Sequence, residues 1–246
     1  AEAKKRGLLN LCTTVDALPY FITPKNIALF EKHGMVPSTV CAHAMLLEPS
    51  NPGLYGTAEI MKAIRFAAAI GIQDVITTET DPRSQWAENL TYDQRIFTIA
   101  EKLYTPVRMA ADFGVRILLE PHGPVTDTIN GIRDVMDMLG NPASLGVNHD
   151  TGNSWLGGAD PVEMAKVFKD KIHHIHWKDL GEEWVEKRGS IYGCGFSKIA
   201  LGDGVIDIAG VCAVLKDAGI RASTLEIVGS EEILKKSVGY LRSQGL

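Results

Sequence analysis

Residues 145–150 read Leu145-Gly146-Val147-Asn148-His149-Asp150, followed by Thr151-Gly152-Asn153. A little further on, residues 174–179 read His174-Ile175-His176-Trp177-Lys178-Asp179. Each stretch is a short apolar run that closes on a burst of polar residues, and between them 161–168 has the apolar spacing of a helix. Strand, helix, strand in that order is the repeating unit of a parallel sheet. Both polar bursts fall at the C-terminal ends of their runs, where parallel α/β folds carry their chemistry.

Outward from this unit the pattern repeats. Strands are predicted at 8–13, 38–45, 74–80, 115–120, 145–150, 173–177 and 223–228, with helices at 57–70, 92–113, 128–139, 161–168, 208–218 and 231–241. Gly71, Gly114 and Gly219 each stand between a helix and a strand, where a left-handed C-cap belongs. The strand ends continue the polar theme with Thr78-Glu79-Thr80-Asp81, Glu120-Pro121-His122 and Leu225-Glu226. A doubly wound sheet concentrates function at one switch point, whereas a barrel mouth collects side chains from many strands. An α/β fold of the TIM (β/α)8 type is therefore predicted, with residues 1–246 as one barrel domain. Seven strands are found, so the barrel's first strand is expected to be lacking in this chain.

Composition agrees with a folded α/β protein. The chain has 246 residues, 45% apolar and 22% charged, a length close to one barrel of about 250 residues. No apolar run approaches the ~20 residues of a membrane span, and no secretory leader is read at the start. A net charge of −5 argues against nucleic acid as the partner. Cys12, Cys41, Cys194 and Cys212 form no CxxC pair and are expected to be reduced, as in a cytoplasmic enzyme.

Strand alternation assigns faces. Glu120 and His122 share one side of their run, as do Asn148 and Asp150, and as do His174, His176 and Lys178. His149 points the other way. Carboxylates from two neighbouring strands, an imidazole from the next and Glu226 from the last are expected to converge. Three carboxylates and one imidazole suit a hard divalent ion, Mn2+ first, with Mg2+, Co2+ or Zn2+ as alternatives. Lys178 would touch a substrate oxygen, and His43 would form part of the wall. Trp177 and Trp184 would offer stacking surfaces to a sugar. The stretch 180–201, with Gly193-Cys194-Gly195, reads as a flap, and Gly202-Asp203-Gly204 as the tight turn before the next helix.

LLEPH at 118–122, NHDTGN at 148–153, HIHWKD at 174–179, LGDG at 201–204 and LEI at 225–227 resemble, in order and spacing, the xylose-isomerase-like TIM-barrel superfamily. The resemblance implies Glu120, Asp150, His176 and Glu226 as metal ligands. It also implies a divalent-metal-dependent sugar isomerase or epimerase working on a keto-sugar through an enediolate, with Glu120 and Glu226 as proton shuttles. Two positions depart from the ketose epimerases: Asn153 stands where they carry His, and Glu182 where they carry Arg. The Glu-Pro-His and Asp-Thr-Gly-Asn versions are more similar to the barrel subunit of bacterial C-glycoside deglycosidases. That similarity implies His122 as the base and offers the alternative outcome of C-deglycosidation or dehydration of a 3-keto-glycoside or inosose. Asn153 would then line the substrate site. An endonuclease IV-like phosphodiesterase is a third reading, opposed by the acidic charge and by only seven His. The expected partners are a small carbohydrate and either a second copy of the chain or a small partner subunit, with no nucleic acid and no membrane.

Overall fold

A computed structural model describes residues 10–14, 24–42, 44, 46–47, 56–79 and 89–246. The strands are β1 (Asn10–Thr14), β2 (Val36–Ala42), β3 (Asp74–Thr78), β4 (Arg116–Glu120), β5 (Leu145–Asp150), β6 (Ile172–Trp177) and β7 (Thr224–Leu225). All seven run parallel in one sheet, in chain order. Helices connect successive strands, and the last of them follows β7: α1 (Pro24–Lys32), α2 (Thr57–Ala69), α3 (Tyr92–Asp112), α4 (Ile129–Met138), α5 (Thr151–Leu156), α6 (Pro161–Val167), α7 (Ile208–Leu215) and α8 (Glu231–Ser243). The result is the curled parallel sheet of a partial TIM barrel, as the strand and helix pattern predicts. Among the described residues there is no eighth strand, and β1 and β7 form the two edges of the sheet.

Alternation along the strands divides the core into two layers. Val40, Val75, Ile117, Leu119, Leu145, Val147, Ile175 and Trp177 face the helices and pack with Ile60, Ile64, Ile99, Leu103 and Ile132 in one large apolar layer. Burial of each such side chain contributes about 1.5–3 kcal/mol, so this layer holds the helices on the sheet. Among the described residues the inner face carries a small apolar plug of Cys41, Ile76 and Leu118. Below the plug, Arg116 pairs bidentately with Asp74 at 2.8 and 3.0 Å, and above it the inner positions turn polar.

Local signals explain the element ends. Thr91 and Gln94 form a reciprocal capping box that starts α3, and Gly114 follows that helix at φ 65°. Two differences from the predicted pattern have physical causes. The helix α5 begins directly after Asp150 and all six of its residues are buried, so no amphipathic stripe announces it. The last strand ends early because the chain beyond Leu225 turns toward Ser197: Ser197 N donates to Glu226 O at 2.9 Å and Val228 N to Ser197 O at 2.8 Å. No helix among the described residues is long and apolar enough to cross a membrane.

Candidate metal centre

The register of neighbouring strands puts Thr78 opposite Glu120, Asn148 opposite His174, and Asp150 opposite His176. Glu226 follows β7, held by its own N–H on Trp177 O at 3.1 Å. Ligand atoms of Glu120, Asp150, His176 and Glu226 consequently all lie within 4.8 Å of one another. Nδ1 of His176 stands 3.2 Å from Glu120 Oε1, 3.3 Å from Glu226 Oε1 and 3.9 Å from Asp150 Oδ2. Donor atoms about 2.1 Å from a common ion are themselves about 3 Å apart or somewhat more, so this spacing fits one divalent cation.

The surroundings tighten the set. Asp150 caps α5: its Oδ1 accepts the N–H groups of Gly152 and Asn153 at 2.9 and 2.8 Å, leaving Oδ2 aimed at the cluster. Lys178, almost fully buried, places Nζ 2.7 Å from Asp150 Oδ2 and 2.5 Å from Glu226 Oε2. Burial alone would push the Lys178 amine down, but the carboxylates of Asp150 and Glu226 outweigh it and hold the group well above the ordinary lysine range. Burial likewise opposes ionisation of Glu120, yet the His176 imidazole hydrogen-bonded to it keeps its carboxyl below the usual glutamate range. Once His176 gives up its proton to ligate a metal, three carboxylates against one ammonium leave two negative charges, which a divalent ion would cancel.

His174 supports the layer beneath. Its Nδ1 is 2.8 Å from Asn148 Oδ1 and its Nε2 3.2 Å from Thr224 Oγ1, while burial, and then the nearby His176, push its pKa down to about 3. A neutral imidazole donating at Nδ1 and accepting at Nε2 satisfies both contacts and ties β5, β6 and β7 together.

The sequence profile described as "Xylose isomerase-like TIM barrel" matches residues 27–244. The chain belongs to that family. A profile of the glutamine synthetase C-terminal domain also matches residues 1–43, which supply no member of the cluster. Among curated relatives, inosose dehydratase of Geobacillus kaustophilus is 27% identical over 106 residues, 43% of this chain and 34% of that protein. A 3-dehydroshikimate dehydratase of Bacillus anthracis is 26% identical over 168 residues, 65% of this chain and 57% of that protein. The chain thus spans between a third and somewhat over half of the length of these relatives, both of which are enzymes. Among solved structures, 3-keto-D-glucoside 4-epimerase from E. coli superposes with a TM-score of 0.76 at 14% identity, covering 98% of this chain and 91% of the other. At that identity the likeness concerns the fold.

The four residues expected to hold the ion are those the xylose isomerase-like fold brings together here. The other expected site residues are placed as follows. His122 lies on the segment after β4, partly buried, two residues beyond Glu120. His43 is outside the described residues. Lys178 is at the cluster, but its ammonium is directed to two carboxylates, so only its remaining N–H is left for a substrate oxygen. Asn153 braces the cluster. Its Nδ2 donates to Asp150 Oδ2 at 3.0 Å and reaches Glu120 Oε1 at 3.5 Å, and its Oδ1 accepts from Cys194 N and Sγ, both at 3.1 Å. Trp177 faces away from the cluster. It occupies the helix-facing side of β6, opposite His176, and at 1% exposure it has no ring face to offer a sugar. Trp184 lies on the short 3-10 helix Glu182–Lys187, with Lys187 Nζ 4.7 Å above its ring.

Two further residues matter that the sequence pattern does not single out. Asp179 accepts the N–H groups of Leu180, Gly202, Gly204 and Ile206, and so folds the Gly202-Asp203-Gly204 turn back onto the end of β6. Glu79, fully buried just past β3, accepts from Val125 and Thr126. Asp179 sits beside Lys178 in a quoted motif and faces a Gly-Asp-Gly turn, a signal of turn-holding that could have been read.

Proposed function

We propose that this chain is a divalent-metal-dependent dehydratase of polyhydroxylated ketones, removing the proton next to a carbonyl and expelling a β-hydroxyl as water. The reading is supported by the donor set of the cluster, by its charge, and by the family to which the chain belongs. Mn2+ is the ion we propose, because three carboxylates and one imidazole form a mainly oxygen site with room for exchangeable ligands. When bound, such an ion polarises a carbonyl oxygen and stabilises negative charge that develops on it.

The chain's own residues do the rest. Glu120, Asp150, His176 and Glu226 would hold the ion, and Asn153 and Lys178 fix the carboxylates that hold it. His122 takes the proton from the carbon adjacent to the ketone. The C–H electron pair passes into the C–C bond as the C–O bond to the β-hydroxyl breaks, and that oxygen leaves as water with one added proton. The protonated His122 can return that proton, so no co-reactant is consumed.

One observation favours elimination over epimerisation. An epimerase needs a base on each face of the substrate carbon. Here the Lys178 ammonium lies 2.5 Å from Glu226 Oε2, the oxygen turned away from His176, and an ammonium so close lowers the basicity that a second base would need. Isomerisation, epimerisation and C-deglycosidation share the first proton removal and differ in the later steps. The deciding experiment incubates the Mn2+-loaded protein in D2O with an inosose, 3-dehydroshikimate and a 3-keto-glucoside, with NMR detection. Loss of water with formation of an unsaturated ketone supports the proposal. Deuterium incorporation with inverted configuration and no loss of water contradicts it.

A further inference from the structure

Glu79 is a carboxylate that the reaction does not use, placed where a charge is expensive. It lies one residue beyond β3, whose last residue Thr78 pairs with Glu120, and its side chain is completely buried. Its Oε2 accepts the N–H of Val125 at 3.0 Å and of Thr126 at 2.6 Å, and Oε1 lies 3.2 Å from the same Val125 N. Its backbone carbonyl accepts Leu47 N at 3.2 Å, which ties it to the segment after β2 as well.

The segment gripped in this way is 121–128, the connection from Glu120 to α4. Thr126, whose N–H is on Glu79, turns its hydroxyl oxygen back to accept His122 N at 3.0 Å. The carboxylate of Asp127, also buried, accepts Gly123 N at 3.1 Å, and the Gly123 carbonyl accepts Asp127 N at 2.9 Å. Gly157 packs against Asp127 so closely that a Cβ there would meet the Asp127 Cβ at 2.3 Å, which leaves this segment no room to shift toward α5. An unbroken path of short bonds therefore runs from the Glu79 carboxylate through Thr126 to the backbone of His122.

An apolar side chain at position 79 would leave the buried N–H groups of Val125 and Thr126 without this acceptor. A carboxylate that accepts two successive N–H groups instead holds the backbone of both residues at one point. We propose that Glu79 is a positioning residue for the reaction, setting the place of His122 through Thr126. The inference rests on the reading of His122 as the base.

The test compares Glu79→Ala, Glu79→Gln, Thr126→Val, His122→Ala and the double variant E79A/H122A in the full chain. Two readouts are taken: Mn2+ affinity by calorimetry, and the imidazole carbon and nitrogen resonances of His122. Turnover of an inosose is measured alongside. E79A and T126V are expected to shift and broaden the His122 resonances, leave Mn2+ affinity within about twofold, and lower kcat about 10²-fold with little change in KM. E79Q is expected to restore most of the loss, since one amide oxygen can accept both N–H groups as Oε2 does. E79A/H122A is expected to be no slower than H122A. If E79A does not fold, T126V carries the comparison, because it leaves Glu79 in place. Unchanged His122 resonances in both variants would overturn the proposal, as would a double variant slower by the product of the two single losses. H122A as fast as the parent would overturn the reading of His122 itself, and the role of Glu79 with it.

Discussion

The ammonium of Lys178 lies 2.7 Å from Oδ2 of Asp150, with both side chains almost wholly removed from water. The same ammonium reaches Glu226, so one lysine joins two members of the cluster that are 76 residues apart in the chain. The arrangement is a permanent partial neutralisation of an acidic pocket. It sets how much positive charge the pocket still requires.

Replacement of Lys178 by Met is expected to expose that requirement. Removing one partner of a buried ion pair costs about 3–5 kcal/mol, because the remaining charges stay buried and uncompensated. Saturating Mn2+ supplies the missing charge, so the loss of thermal stability in K178M should shrink when the ion is added. Melting curves with and without Mn2+ measure this, and an equal deficit in both would contradict it.

Glu79 gives a pH signature. Burial, opposed by the N–H groups of Thr126 and Val125 and by Arg95, raises its pKa from 4.5 to about 7, with Asp127 as the acidic neighbour. The folded-state value lies above the unfolded one, so the protonated form is the more stable in the native protein. Its contribution is complete below pH 4.5 and is lost as pH rises through 7, amounting to about 3 kcal/mol at most. Glu79→Gln does not titrate. The stability of the parent relative to E79Q should therefore fall across this window in denaturant titrations, and parallel pH curves would contradict the assignment.

Asp179→Ala should loosen the segment that follows β6. Four backbone N–H groups, those of Leu180, Gly202, Gly204 and Ile206, lose their acceptor. Water can replace the acceptor at Gly202 and Gly204, which lie nearer the surface, so the cost is about 3 kcal/mol, set mainly by Leu180 and Ile206. Limited proteolysis should then cut residues 180–206 faster than in the parent, while Mn2+ affinity changes little. A variant cleaved at the parental rate would show that other contacts hold the turn.

The alternation of side chains makes much of this legible in the sequence. It sends Glu120, Asp150 and His176 to one face of their strands, and parallel order then brings those strands side by side. The same rule turns Trp177 away from His176, so a sugar-stacking role for it conflicts with its own neighbour. What alternation does not contain is saturation. Asn153 is a brace because Cys194, 41 residues away, takes its carbonyl oxygen, and Lys178 is clamped because Glu226 returns from the far end of the chain. Glu79 is hidden for the same reason: its partners are Val125 and Thr126, in a segment whose path depends on the finished sheet.

Everything proposed for the site depends on Glu120, Asp150, His176 and Glu226 holding one divalent ion. Chelator-treated protein is titrated with Mn2+, and free ion is measured by electron paramagnetic resonance. The parent is expected to bind one equivalent, with affinity reduced at least about 10-fold in Glu120→Gln and in His176→Ala. Binding of no ion by the parent, or equal affinity in the parent and both variants, would contradict it.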